Sequence, residues 1–274
     1  MAVKTFYWNP IADQPKESRF FSLIRRPRNF VHGNAGDSFN VDVLNWLLPN
    51  EAVANVGNAG KRVLLIGSVA HRVLEGDVVA GIGSKHDSVP SATGTHIHLL
   101  GVRGPLTLDA FKRAGHDVTS LRFMGDPGLL IGKIYPELHD IGPIAGQTIF
   151  IPHYRERFQF RSNRQYKVIS IDASPFDVAK AICQAEFVYT SSLHGLIWAH
   201  ALKRPALLVA PRTAESEHKY KDYFQSVDRP YAVAESVESA LRSTKPTSPI
   251  DIQKYVDGIT LPTVEELRAA DALN

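Results

Sequence analysis

The sequence predicts an α/β fold in two halves, each a parallel sheet flanked by helices. Strand-like and helix-like segments alternate along the chain, the pattern of βαβ units. A Pro/Gly-rich stretch, "IYPELHDIGPIAGQ", interrupts that alternation around Gly142–Gly146. The 274 residues, 44% of them hydrophobic, suffice for one large domain or two Rossmann-sized ones, since domains run roughly 100–200 residues. Two Rossmann-like domains are expected, residues 1–143 and 144–274, with a cleft between them.

The elements follow in order. "TFYW" reads as a first strand. "HGNAGDSFNVDVLNWLL" is a Gly-rich loop feeding a helix, with Asp37 or Ser38 as N-cap and Phe39, Val43, Leu44 and Leu47 on one face. "KRVLLIGSVA" and "DVVAGIGS" each read as a strand running into a turn. "HIHLLGVRGPLTLDAFKRAG" is a strand to Val102, then Arg103 and Gly104, Pro105 at the first helical position, and Gly115 just past the helix end. "LRFMGDPGLL" is a strand and turn. The second half begins at "TIFIPHYRE" and continues through "YKVISID", "SPFDVAKAICQA" and "AEFVYT". The apolar helix "LIWAHAL" then ends at Lys203 and Pro205, and "ALLVA" is a further buried strand.

Composition excludes several classes. Lys plus Arg is 31 and Asp plus Glu 28, a net charge of +3, without the dense basic stripe of a nucleic-acid binder. A single cysteine, Cys183, excludes an intrachain disulfide and a cysteine-based metal cluster. No metal cluster is visible, and no metal or cofactor is expected. "MAVKTFYWNP" has no apolar core of a signal peptide, and no run approaches the ~18 apolar residues of a membrane span. A cytoplasmic location is expected. "RFFSLIRRPRNF" mixes apolar and arginine residues. It reads either as an interfacial segment giving peripheral contact with the inner face of the cell membrane, or as a linker packed inward.

Chemistry concentrates at strand–helix junctions. "SSLHG" places His194 in a first helical turn at the carboxyl end of a strand, where ligands bind in open α/β sheets. The unpaired amides of that turn form an anion site, and Ser191 and Ser192 can add hydroxyl donors. An empty site lowers the pKa of His194 and a bound phosphate raises it, which suits acid catalysis. The plainer reading is a histidine satisfied by local caps. Arg103 lies at another strand end, where a guanidinium can fork onto carboxylate or phosphate, or simply pair with a neighbouring acid. "GNAGD" lacks the lysine of a P-loop and the third glycine of a dinucleotide fingerprint. Ser68 in "IGSVA" sits as in a nucleophile elbow, but Ala70 replaces the second glycine. Of His96 and His98, one is expected to face the core and the other solvent, unless the two ligate a metal.

Taken in order, "GNAGD", "VRGPLT", "GDPGLL", "IPHY", "SSLHGLIWAHAL" and "KYKDY" resemble the polysaccharide pyruvyl transferase family, from about Asn29 to about Tyr223. Many members have arginine at the position of Ser192; the "SSLHG" form is similar to the exopolysaccharide and capsule branch. The resemblance implies a glycosyltransferase-B-like architecture with a central cleft. It implies phosphoenolpyruvate as donor and a pyruvate ketal formed on two sugar hydroxyls, with phosphate released. The acceptor would be a lipid-linked oligosaccharide or glycan. His194 and Arg103 are then catalytic and donor-binding candidates, and Asp37 a candidate base. Asn34, Gly36, Gly67, Ser68, His153, Ser191, Ser192, Leu193, Gly195 and Lys219 complete the candidate binding set. A nucleotide-sugar-dependent glycosyltransferase of the same fold is the alternative, and a non-catalytic glycan- or nucleotide-binding protein a third.

Overall fold

The computed structural model describes residues 1–11, 30–242 and 251–274. The candidate membrane segment lies outside the described residues except for Phe30.

The fold is α/β, built on two parallel sheets. The first contains β1 (Ala2–Thr5), β2 (Ala52–Asn55), β3 (Val63–Leu64), β4 (Val78–Ala80), β5 (His98–Val102) and β6 (Phe123–Met124), in the order β2-β1-β3-β4-β5-β6. The second contains β7 (Thr148–Ile151), β8 (Lys167–Val168), β9 (Phe187–Thr190), β10 (Ala206–Val209) and β11 (Val233–Ala234), in the order β11-β10-β9-β7-β8. Both follow one winding rule. The chain steps outward from its first strand, then reverses, leaving a switch point between β1 and β3 and another between β7 and β9. Ligands of open α/β sheets bind at such points, outside the carboxyl ends of the strands.

The helices in chain order are α1 (Ala35–Leu47), α2 (Pro105–Arg113), α3 (Ile131–Ile134), α4 (Pro175–Cys183), α5 (Leu193–Ala201), α6 (His218–Ser226), α7 (Val237–Arg242), α8 (Gln253–Gly258) and α9 (Val264–Ala269). Helix α2 begins at Pro105 as expected, and Gly115 beyond its end has φ +85°. Two starts differ from expectation. The first strand ends at Thr5, leaving Phe6 and Trp8 beyond it, and Asn34 caps α1 by accepting from the Gly36 amide. An Asn side chain satisfies a first-turn amide as well as an Asp does. Asp37 is thereby released to a position inside the first turn.

The sheets share one apolar core. Phe39 of α1 meets Trp198 of α5 edge-on at 5.5 Å, within a cluster reaching from Val63 to Ile149 and Leu208. The Gly142–Gly146 break does separate the strands of the two sheets. The last segment, which the sequence reading placed in the second half, instead returns to the first sheet. Ala2 and Lys4 donate backbone hydrogen bonds to Asn274 and Ala272, and Val3 bridges Leu273 in antiparallel fashion. His96 and His98 are both exposed. His96 precedes β5 and His98 opens it, and both side chains face solvent, so the expected division between core and solvent was incorrect.

Candidate active site

A cavity of ≈ 260 Å³ opens at the carboxyl ends of β1, β3, β7 and β9, so both switch points contribute to it. Phe6 and Trp8 follow β1, Ser68 follows β3, His153 and Tyr154 follow β7, and Ser192, Leu193 and His194 follow β9. Asn34 and Asp37 enter from the start of α1, and Glu215 and Lys219 from the approach to α6 and its first turn. His71, Arg72, Lys85 and Arg155 complete the charged wall.

The starts of α1 and α5 meet here. A Cβ on Gly36 would lie 2.0 Å from His194 Nδ1, so the imidazole occupies the space a side chain at that position would need. Two helix N-termini, each with first-turn amides lacking intrahelical partners, thus share one corner. Ser192 caps α5 through the Gly195 amide at 3.4 Å. His194 is 7% exposed, and its Nε2 is buried without a hydrogen bond. Burial, then the nearby charges of Arg103 and Lys219, push its pKa down to about 3. The free site therefore holds His194 neutral.

Asp37 behaves in the opposite sense. Burial raises its carboxyl from 3.8 to about 7, although Asn34 donates to it at 2.6 Å and Lys219 favours its charge; Asp126 adds to the rise. Gly67 packs beside it: a Cβ there would stand 3.2 Å from Asp37 Oδ1, and its φ is +119°. Of the two groups, Asp37 is the one poised to exchange a proton near neutrality.

Around Glu215 the cavity is cationic. Lys219, Arg155 and Lys85 lie 2.8, 2.7 and 3.5 Å from its carboxylate, with His153 Nε2 at 3.9 Å. Burial opposes the Glu215 charge, but Lys219, His153 and Lys85 outweigh it and hold the carboxyl at about 2. Burial in turn lowers Lys219, and brings His153 down to about 3. Four cationic side chains face two carboxyls among the lining residues, and Asp37 is half-neutral near pH 7.

Asn34, Asp37, Ser68, His153, Ser192, Leu193, His194 and Lys219 all line the cavity. Ser191 does not. Its hydroxyl donates to Glu156 at 2.9 Å and accepts from the His153 amide at 2.7 Å, so it ties β9 to the β7 loop. Arg103 is also behind the wall rather than in it. It is fully buried; its guanidinium donates to Asp222 of α6 at 3.0 Å, Ser68 Oγ at 2.8 Å and the Ser84 carbonyl at 2.9 Å. A Cβ on Gly104 would lie 2.2 Å from the Asp222 carbonyl, so α6 approaches this turn closely. In this arrangement Arg103 couples the two halves and orients Ser68.

Glu215, Lys85, Arg155, Arg72 and the aromatic residues escaped the sequence reading. Only the i,i+4 spacing of Glu215 and Lys219 carried a local signal; the others sit on loops whose proximity is set by the fold. Among the described residues no group of three or more His, Cys, Asp or Glu side chains could hold a metal ion, and no helix is long and apolar enough to cross a membrane.

The family model described as polysaccharide pyruvyl transferase matches residues 95–212, the segment containing both Arg103 and the His194 turn. Over that segment the chain is similar to the polysaccharide pyruvyl transferase family. The match to the family model leaves out Asn34–Asp37 and Glu215–Lys219, so the Asp37 carboxyl and the Lys219 ammonium of the cavity come from flanking segments. An uncharacterized protein, L143, of Acanthamoeba polyphaga mimivirus is 29% identical over 203 residues, covering 69% of each chain. The succinoglycan biosynthesis protein ExoV of Rhizobium meliloti (strain 1021) is 24% identical over 213 residues, covering 73% of this chain and 63% of its own. This chain thus spans less than two thirds of ExoV. A solved structure of a functionally uncharacterized Klebsiella pneumoniae protein covers 81% of this chain and 87% of its own, at 11% identity and a TM-score of 0.44.

Proposed function

We propose that the cavity binds phosphoenolpyruvate and transfers its three-carbon unit to two hydroxyls of a sugar in an exopolysaccharide repeat unit, as a pyruvate ketal. The observation that carries this is the pairing of a cationic wall and two helix N-termini with a carboxyl held near pKa 7. A donor with a phosphate and a carboxylate on one small frame needs the first, and protonation of an enol needs the second. The two-sheet arrangement around a cleft supports a glycosyltransferase-B-like reading. The nucleotide-sugar alternative draws no support from the family match.

The chemistry balances without an external reagent. Protonated Asp37 gives its proton to C3 of the enol, and C2 becomes electrophilic. The first sugar hydroxyl adds to C2 and returns its proton to Asp37. The C2–O bond to phosphate then breaks, the second hydroxyl closes the ketal, and its proton leaves with the phosphate. His194, neutral in the free site, gains basicity when the dianion binds beside it and can hydrogen-bond or protonate the departing group. Arg103 acts through Ser68 and through the coupling to α6.

Phosphate release from phosphoenolpyruvate, measured with a panel of lipid-linked oligosaccharides, tests the reading. His194→Gln should lower turnover about a hundredfold while reducing donor binding less. Normal turnover in that variant, or stabilisation by nucleotide sugars but not by phosphoenolpyruvate, would refute it.

A further inference from the structure

The donor chemistry leaves part of the cavity unused. Three aromatic rings line it: Phe6, Trp8 and Tyr154. Phe6 is already engaged, with the guanidinium groups of Arg62 and Arg72 each 5.4 Å from its ring centre. Tyr154 likewise has the Arg155 guanidinium 5.4 Å from its ring centre and the His153 ring at 4.4 Å, whereas the ring neighbours of Trp8 are Tyr154 and Phe30. Trp8 and Tyr154 are only half-buried, and they line a cavity that Val69 and Leu193 share with the charged side chains. Their rings stand 4.6 Å apart at 47°, and Phe30 backs the indole edge-on at 5.8 Å. Arg155 Nε donates to the Tyr154 hydroxyl at 2.9 Å, which fixes that ring against the cationic wall. Asp37 lines the same cavity as the two rings.

A pyranose ring has an apolar face of C–H groups and an edge of hydroxyls. The face of an aromatic ring is electronegative and attracts such weakly positive C–H groups. A hexose stacked on these rings would hold its hydroxyl edge inside the cavity that Asp37 also lines. We infer that Trp8 and Tyr154 form the platform for a hexopyranose ring of the acceptor, beside the donor site. The identity of the ligand as acceptor rests on the pyruvyl-transfer reading; the stacking itself does not.

Saturation-transfer NMR on the full chain tests this, irradiating aromatic protons in the presence of methyl β-D-glucopyranoside or methyl β-D-galactopyranoside. Transfer to the ring C–H protons of at least one sugar is expected. Trp8→Ala should weaken that binding by about tenfold, the scale of one lost aromatic contact, and leave the rise in Tm caused by phosphoenolpyruvate intact. Trp8→Phe should retain part of the transfer and serves if the alanine variant does not fold. No transfer to either sugar, equal transfer in Trp8→Ala, or transfer to uridine diphosphate alone would overturn the platform. If the sugars bind and phosphoenolpyruvate does not, the platform stands and the pyruvyl-transfer reading fails.

Discussion

Replacing Asp37 with asparagine should make the protein more stable and inactive, and the gain in stability should grow with pH. The Asp37 carboxyl is nearly fully buried and its pKa rises from 3.8 to about 7 on folding. A carboxyl with a raised folded-state pKa contributes stability below its unfolded value and loses it as pH climbs through the folded value. The full cost of ionising Asp37 is therefore about 4 kcal/mol, at roughly 1.4 kcal/mol per pH unit. It is almost fully expressed at pH 8 but under about 2 kcal/mol at pH 5. The introduced carboxamide would keep an acceptor for the Asn34 amide, now bonded at 2.6 Å, without carrying charge. Urea unfolding of both proteins should show the variant gaining about 2.5 kcal/mol more at pH 8 than at pH 5. Equal gains at the two pH values would show that Asp37 titrates as an ordinary carboxyl. The proton-transfer role built on its raised pKa would then be refuted.

Arg103→Met or Asp222→Asn breaks a fully buried ion pair between α6 and the β5–α2 turn. Either should cost about 3–5 kcal/mol in urea unfolding, because the remaining charge stays buried; a loss under about 1 kcal/mol would contradict the coupling role. Gly36→Ala places a methyl group 2.0 Å from His194 Nδ1. The imidazole must move, so turnover should fall more than the melting temperature does, as kinetics and calorimetry would show together. His153, His194 and His200 each have pKa values lowered from 6.5 to about 3, chiefly by burial. The unfolded chain binds more protons in that window, so these three histidines should withdraw stability as pH falls from 6.5 toward 3. His200→Phe should flatten that acid limb, and an unchanged limb would show that His200 does not contribute to it.

The sequence by itself determined the alternation of strands and helices, the strand-to-helix turn that carries His194 and the resemblance to a family. Each depends on near neighbours in the chain: hydrophobic period, helix-start chemistry, turn residues. The strand ending in Thr190 and the helix opening at Leu193 could be placed because Ser192 and Gly195 act across three residues. What the fold decided involves groups far apart in sequence. Arg103 was legible as a strand-end cation, but Asp222, 119 residues away, draws its guanidinium behind the wall. The "SSLHG" motif offered two equivalent hydroxyls, and only packing against Glu156 turned Ser191 inward while Ser192 lined the cavity. Asp37 looked like a cap; Asn34 took that role, and burial raised the Asp37 carboxyl to about 7. Residue types and local spacing specify where a charged group can sit along the backbone. Its pKa and its partner depend on desolvation and on charges brought near by the two sheets, and neither exists until the chain has folded.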